Sequence, residues 1–283
     1  MAKGDQPIIF ESTEGMSETC RAALRDLLVA IADTKLLLGY HYGEWTFGPP
    51  ELEAAVACCS LCQAELGHVR LIHGILNKHY GDDPDDLVEN RRPEEFANIS
   101  FIDGEIKDWA EFVAANYLVD LAATAVLFSL KDSAFVPLHM SLDKMLEEEK
   151  YHIHHGQGWF RTLASRSSET RKALEKHARR ALGSVVEWFG PPDAQGDKAL
   201  VEAGIKAESN SEILRRYTTE LGRLAASLAV DLDLRKEGEA WVTGKAGKWD
   251  GWNAQSRRCG KSGPDEQILY HLRGSKNKVF KLN

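Results

Sequence analysis

Two short motifs constrain this chain more than anything else in it: Glu65-Leu66-Gly67-His68 and Glu149-Lys150-Tyr151-His152. In each, a carboxylate and an imidazole stand three residues apart, which on a helix places them on one face. Each motif lies deep in a long stretch of helical periodicity. Two such helices facing one another supply the metal half-sites of four-helix carboxylate proteins, in which two Glu-x-x-His motifs meet single carboxylates from the other two helices. The competing reading is structural: two buried carboxylate–imidazole pairs that hold a bundle together by hydrogen bonds.

The periodicity predicts an all-α chain. Residues 1–17 read as a flexible lead-in. From about Glu18, Leu24, Leu27, Leu28, Ile31, Leu36, Leu37 and Leu38 recur at helical spacing, so a first helix should run to about Trp45. Gly48-Pro49-Pro50 stops it, and a second helix from Glu51 to about Tyr80 carries Glu65 and His68. The link over 81–107 is rich in Asp, Arg and Pro and long enough to cross a bundle. Asp108, with Glu111 three residues later, forms a capping-box-like opening for a third helix to about Leu130. A fourth spans about Ala134 to Ala164, with Pro137 tolerable in its first turn. Helices over Ser168–Phe189 and about Glu208–Leu232 complete a helical domain at 18–234. Residues 235–283 turn to Gly, Lys and Trp and read as an irregular extension with a short helix near Glu266–Arg273.

Hairpin arithmetic extends the candidate site. With a turn near Ser133, Asp120 lies about 14 residues before it and Glu149 about 15 after, so the two should sit at similar height on opposed helices. The same reasoning on the first hairpin mirrors Glu65 onto residues 31–35, where Asp33 and Lys35 are the polar choices. Glu148 points about 100° away from Glu149 and reads as a supporting or surface residue. His154 and His155 read as ordinary polar positions, and Tyr40, Tyr42, Trp45 and Phe47 as core or interface aromatics.

Composition excludes several classes. A formal net charge of -8 argues against nucleic-acid binding and leaves no basic membrane patch. No apolar run reaches the ~18 residues of a transmembrane helix, and MAKGDQPIIFESTEG lacks the apolar core of a signal peptide. Five cysteines, thinly spread and odd in number, suit a reduced, cytoplasmic protein. Cys59-x-x-Cys62 reads as a redox pair, as a soft metal site with no second Cys pair to complete it, or as small buried helix residues, the last being favoured. No Gly-rich phosphate loop or dinucleotide fingerprint is present.

Beyond these motifs, several local pieces are familiar: Gly43-Glu44-Trp45, Pro50-Glu51-Leu52-Glu53, Arg92-Pro93-Glu94-Glu95-Phe96-Ala97-Asn98, Tyr117-Leu118-Val119-Asp120 and Gly158-Trp159. With the two Glu-x-x-His motifs, they make the chain resemble the ferritin-like subunits, catalytic and scaffold, of the multicomponent phenylacetyl-CoA epoxidase. The Pro50 stretch and Gly158-Trp159 are more similar to the scaffold subunit; the two Glu-x-x-His motifs are more similar to the catalytic one. The resemblance implies an all-α, ferritin-like four-helix bundle core with additional C-terminal helices and two irons among its helices. Carried over residue by residue, Glu65, His68, Asp120, Glu149 and His152 match metal ligands. The carboxylate expected from the first helix falls on Lys35, or on Asp33 if the alignment shifts by two residues.

That departure sets the charge problem. Three carboxylates and an ammonium balance one divalent ion. Alternatively Lys35 is neutral and itself a ligand, or it replaces metal altogether in a salt-bridged relic site, or it is a surface lysine with no part in the site. Carboxylate and imidazole ligands without thiolate suit iron or manganese. The resemblance therefore implies a non-haem iron oxygenase with one or two Fe ions per chain and O2 as co-substrate. It also implies an organic substrate such as an aromatic CoA thioester, a separate reductase, and association with like or sister subunits through helix faces. The alternative is a non-catalytic scaffold subunit of such a complex; a more remote one is a ferritin-like metal-storage or oxidase protein.

Overall fold

The computed structural model describes residues 9–244 and 249–280. Residues 1–8 of the expected lead-in, and 245–248 and 281–283 of the expected extension, lie outside the described residues. The architecture is all-α and ferritin-like. Four long helices form its core: α1 (Glu18–Glu44), α2 (Leu52–Tyr80), α3 (Trp109–Ser129) and α4 (Val136–Arg166). Helices α5 (Ser168–Phe189), α6 (Gln195–Glu202) and α7 (Asn210–Ser227) pack around them.

The ends are set by local chemistry. Ser17 caps α1 by accepting the Cys20 amide. Gly81 closes α2 with φ of 77°, the left-handed conformation that a glycine adopts without Cβ strain. Asp108 accepts the Glu111 amide at the head of α3, while Glu111 accepts the Lys107 amide. Within α3 the residues Ala115–Val119 take a π turn, just before Asp120. Such turns are rare and recur at functional sites.

Helix α1 packs on α2, α2 on α4, α4 on α3 and α3 on α1. Helices α2 and α3 are therefore diagonal, and the segment joining them must cross the bundle. Asp33 anchors that crossing. Its carboxylate receives the Arg91 guanidinium at 2.5 and 2.9 Å and the Ala97 amide at 2.8 Å. Helix α3 is apolar enough by length and composition to span a membrane, but it is almost wholly buried, with α1, α4, α5 and α7 packed around it. Hydropathy here reports a central core helix.

Past α7, two antiparallel ribbons follow: β1 (Leu234–Glu237) with β2 (Ala240–Thr243), and β3 (Trp252–Asn253) with β4 (Arg258–Cys259). They are too short for their alternation to show in the sequence. A short helix α8 (Glu266–Leu272) and a 3-10 stretch over Ser275–Phe280 follow. Buried Arg257 donates to the Trp188 carbonyl, and buried Arg258 to Asp103 and the Asn98 carbonyl.

Candidate metal centre

Each core helix sends a charged side chain into the same small volume. Lys35 from α1, Glu65 and His68 from α2, Asp120 from α3, and Glu149 and His152 from α4 are all at most 2% exposed. The Lys35 ammonium lies 3.1 Å from Glu65 Oε1, 2.8 Å from Asp120 Oδ1 and 2.5 Å from Glu149 Oε1. Its three N–H donors thus meet one oxygen of each carboxylate. The ambiguity on α1 is resolved: Lys35 faces the cluster, and Asp33, two residues and about 200° away, is committed to Arg91. The surface-lysine reading falls with it. The cluster's charges also hold Lys35 protonated: burial pulls its ammonium down, but Asp120, Glu149 and Glu65 outweigh that and raise it well above the usual range.

Both imidazoles turn Nδ1 inward. His68 Nδ1 is 3.2 Å from Glu149 Oε1 and 3.6 Å from Glu65 Oε2. His152 Nδ1 is 2.9 Å from Asp120 Oδ2 and 3.3 Å from Glu65 Oε1. Burial alone would depress these rings, but the carboxylates raise His68 to about 9 and His152 to about 11. Burial pushes Asp120 up, yet Lys35 and His152 draw it well below the usual carboxylate range. Three cations and three carboxylates then leave the metal-free cluster formally neutral.

A surrounding layer fixes these groups. Tyr42 donates to Asp120 Oδ2 at 3.0 Å, and Asn116 Nδ2 donates to the Tyr42 oxygen at 3.1 Å. His155 Nδ1 meets Asn116 Oδ1 at 2.8 Å. Tyr42 has one proton and gives it to a carboxylate, so Asn116 must present its NH2 to Tyr42 and its oxygen to His155 Nδ1–H. Thr124 donates to Glu149 Oε2. Glu148 Oε2 lies 2.8 Å from His68 Nε2, the partner that holds a ligating imidazole's proton on the outer nitrogen and leaves Nδ1 free for metal. Tyr42, Asn116, Thr124 and His155 are not legible as site residues in the sequence, because nothing local distinguishes them from core and polar positions.

Whether the donor set fits a metal can be tested on the buried atoms. Glu65 Oε2 and His68 Nδ1 are buried and lack a hydrogen-bond partner among the described residues. They are the kind of adjacent, unsatisfied donors a cation satisfies. Donor atoms of Glu65, Asp120, Glu149 and His152 lie within 4.8 Å of one another. Three carboxylates plus the Lys35 ammonium carry a formal -2, which fits one divalent ion. A second would share its space with the ammonium. A cavity of about 720 Å³, lined by Leu61, Ala64, Leu71 and Tyr151, reaches His68, His152 and His155.

The sequence matches the family described as "Phenylacetic acid catabolic protein" over residues 1–258. The chain belongs to that family. It is 25% identical over 179 residues to one of the subunits of the 1,2-phenylacetyl-CoA epoxidase of Escherichia coli (strain K12), a match covering 63% of this chain and 71% of the relative. The expectation of a phenylacetyl-CoA epoxidase-type subunit is met at that level. That relative is a subunit of an epoxidase; what this chain does turns on the cluster around Lys35.

Proposed function

We propose that this chain is an oxygenase subunit holding one iron among Glu65, His68, Asp120, Glu149 and His152, in a reduced cytoplasmic setting that suits its thinly spread cysteines. The observation that carries the reading is the convergence of two inward Nδ1 atoms on three buried carboxylates beside a cavity that Leu61, Ala64 and Leu71 help to line. When bound, iron would supply dioxygen activation, with electrons from a separate reductase. The chain's own residues do the rest. Tyr42 and Thr124 hold Asp120 and Glu149 in orientation. Glu148 sets the His68 tautomer, and Lys35 supplies the positive charge that a second metal would otherwise bring. Leu61, Ala64 and Leu71 offer an apolar bed for the ring of an aromatic acyl thioester, the class named for the relative.

A second reading is favoured by one observation: Lys35 saturates its three donors on the carboxylates without metal. That arrangement suits a scaffold subunit. Metal content separates the two. Protein reconstituted anaerobically with ferrous iron should retain about one iron per chain, lose it in Glu65→Ala, and consume oxygen when phenylacetyl-CoA and a reductant are added. Iron-free protein after reconstitution would leave the scaffold reading standing.

A further inference from the structure

The aromatic side chains beside the cluster form a string that leads away from it. Tyr42, fully buried, donates its hydroxyl to Asp120 Oδ2 at 3.0 Å and stands edge-on to the His152 ring, 6.3 Å between centroids. Phe112 follows at 5.5 Å from Tyr42. It touches two indoles, Trp45 at 5.5 Å and Trp109 at 4.6 Å, the latter stacked within 9° of parallel. Trp45 and Trp109 lie 5.7 Å apart, and Trp159 sits edge-on to Trp109 at 5.0 Å. The indoles, unlike Tyr42 and Phe112, are partly exposed. Spacing explains the alignment: Tyr42 and Trp45 on α1, and Trp109 and Phe112 on α3, are each three residues apart and share a helix face. Packing accounts for the contacts, but a packed end could be built of phenylalanine and leucine. This one places three of the chain's seven tryptophans in a row whose inner end is a phenol bonded to a candidate ligand.

We propose that Tyr42, Trp45, Trp109 and Trp159 carry oxidising equivalents from the cluster to the protein surface. Phenol and indole are, with thiols, the side chains that give up an electron most readily; Phe112 is far harder to oxidise and serves as the contact between them. The use of this path rests on the oxygenase reading above, because an iron centre that meets dioxygen without its organic substrate is an oxidant lacking its intended reductant. Tyr42 then gives one electron to the oxidised centre and its hydroxyl proton, along the existing hydrogen bond, to Asp120 Oδ2. A ring that has lost an electron is a strong acid, so even a weakly basic carboxylate accepts that proton. Trp109 or Trp45 returns an electron to Tyr42 across Phe112, Asp120 returns the proton, and the hole now lies on an indole. The Trp109 N–H is buried without an acceptor among the described residues, so that ring keeps its proton and passes the hole on to Trp159 instead of trapping it. A soluble reductant of the ascorbate class gives Trp159 one electron and releases a proton to water. The net change is one electron moved from the reductant to the centre, with Asp120, Tyr42 and the indoles as they began.

The path is measured first without metal. Azide radicals generated by pulse radiolysis take one electron from accessible indoles of the full, metal-free chain. The tryptophanyl absorbance should decay at a rate independent of protein concentration while a tyrosyl absorbance grows in. Tyr42→Phe, which removes one oxygen, should lose most of that tyrosyl growth, and so should Trp45→Phe/Trp109→Phe, which keeps aromatic rings in place. An unchanged tyrosyl yield in Tyr42→Phe would overturn the path. The drain is measured on iron-loaded protein cycled with limiting dithionite and dioxygen and no organic substrate, its oxidised residues then mapped by mass spectrometry. They should fall on the three indoles in wild type and shift to residues around His68 and His152 in Tyr42→Phe. The same damage around the cluster in both proteins would overturn the drain. A chain that takes up no iron loses the oxygenase reading and the drain with it, while the radiolysis result still decides the path.

Discussion

Replacing Lys35 by Met removes the one group that touches all three cluster carboxylates, at 2.5 to 3.1 Å, while keeping a side chain of similar length. In the metal-free protein the cluster then carries an unbalanced negative charge among buried side chains. Removing one partner of a buried ion pair costs about 3–5 kcal/mol, because the remaining charge stays buried without compensation. For a chain of 283 residues, an unfolding entropy of about 2.1 cal/mol/K per residue turns that loss into a drop of roughly 5–8 °C in Tm. Scanning calorimetry of metal-free protein at neutral pH measures it directly. Manganous ion, a redox-stable stand-in for ferrous iron, returns positive charge to the site. At 100 times the wild-type Kd it contributes about 2.7 kcal/mol to wild type, and at that same concentration the variant should gain more. A metal-free Lys35→Met protein melting within about 1 °C of wild type would refute the role of Lys35 as the balancing cation.

Three further outcomes follow from the same geometry. Because His68 and His152 titrate near 9 and 11 in the metal-free cluster, uptake of one divalent ion near pH 7 should expel about two protons. Calorimetry in buffers of different ionisation enthalpy counts them, and zero would mean that neither imidazole ligates. Both raised values also stabilise the metal-free fold below pH ~6.5, a contribution lost as pH rises through 9 and then 11. Glu148→Gln should lower metal affinity about 10- to 100-fold with little change in Tm; a chelator competition that finds wild-type affinity would remove Glu148 from its supporting role. His155 moves the other way, with burial and then the His152 and His154 charges drawing it down to about 4. Its neutral form therefore stabilises the fold above pH ~6.5 and loses up to about 3 kcal/mol as pH falls to 4. His155→Asn should flatten that part of the stability profile, and an unchanged profile would contradict the assignment.

The sequence exposes the parts of this design that have a period or a spacing. Glu-x-x-His twice, in helical context, locates four residues of the cluster. Counting outward from one turn brings Asp120 opposite Glu149, and both share Lys35. The choice between Asp33 and Lys35 is open in the sequence because both fall within the window opposite Glu65; only the crossing segment, with Arg91 and the Ala97 amide, assigns Asp33 elsewhere. Tyr42 and Asn116 act across 74 residues, a pairing that no local pattern carries. The π turn at Ala115–Val119 reads as ordinary helix, since it leaves composition and amphipathicity untouched. Helix α6 escapes a reading of periodicity because its eight residues follow Gly190-Pro191-Pro192 and bury only one apolar side chain, Leu200, fully. The angle of Glu148 narrows it to support or surface, and the structure chooses support.

The neutrality of the cluster bears on how such a protein matures. Many metal sites are assembled from like charges that repel until the ion arrives, so the polypeptide and its metal must meet early. Here two protons on His68 and His152 stand in for the ion beside Lys35, and the bundle closes around them as a finished object. Loading then becomes an exchange of protons for metal in an already folded protein, governed by the pH and metal supply of its surroundings and separable in time from synthesis. On the one-iron reading proposed above, a cell could hold a reserve of folded, unloaded chains and activate them as iron becomes available.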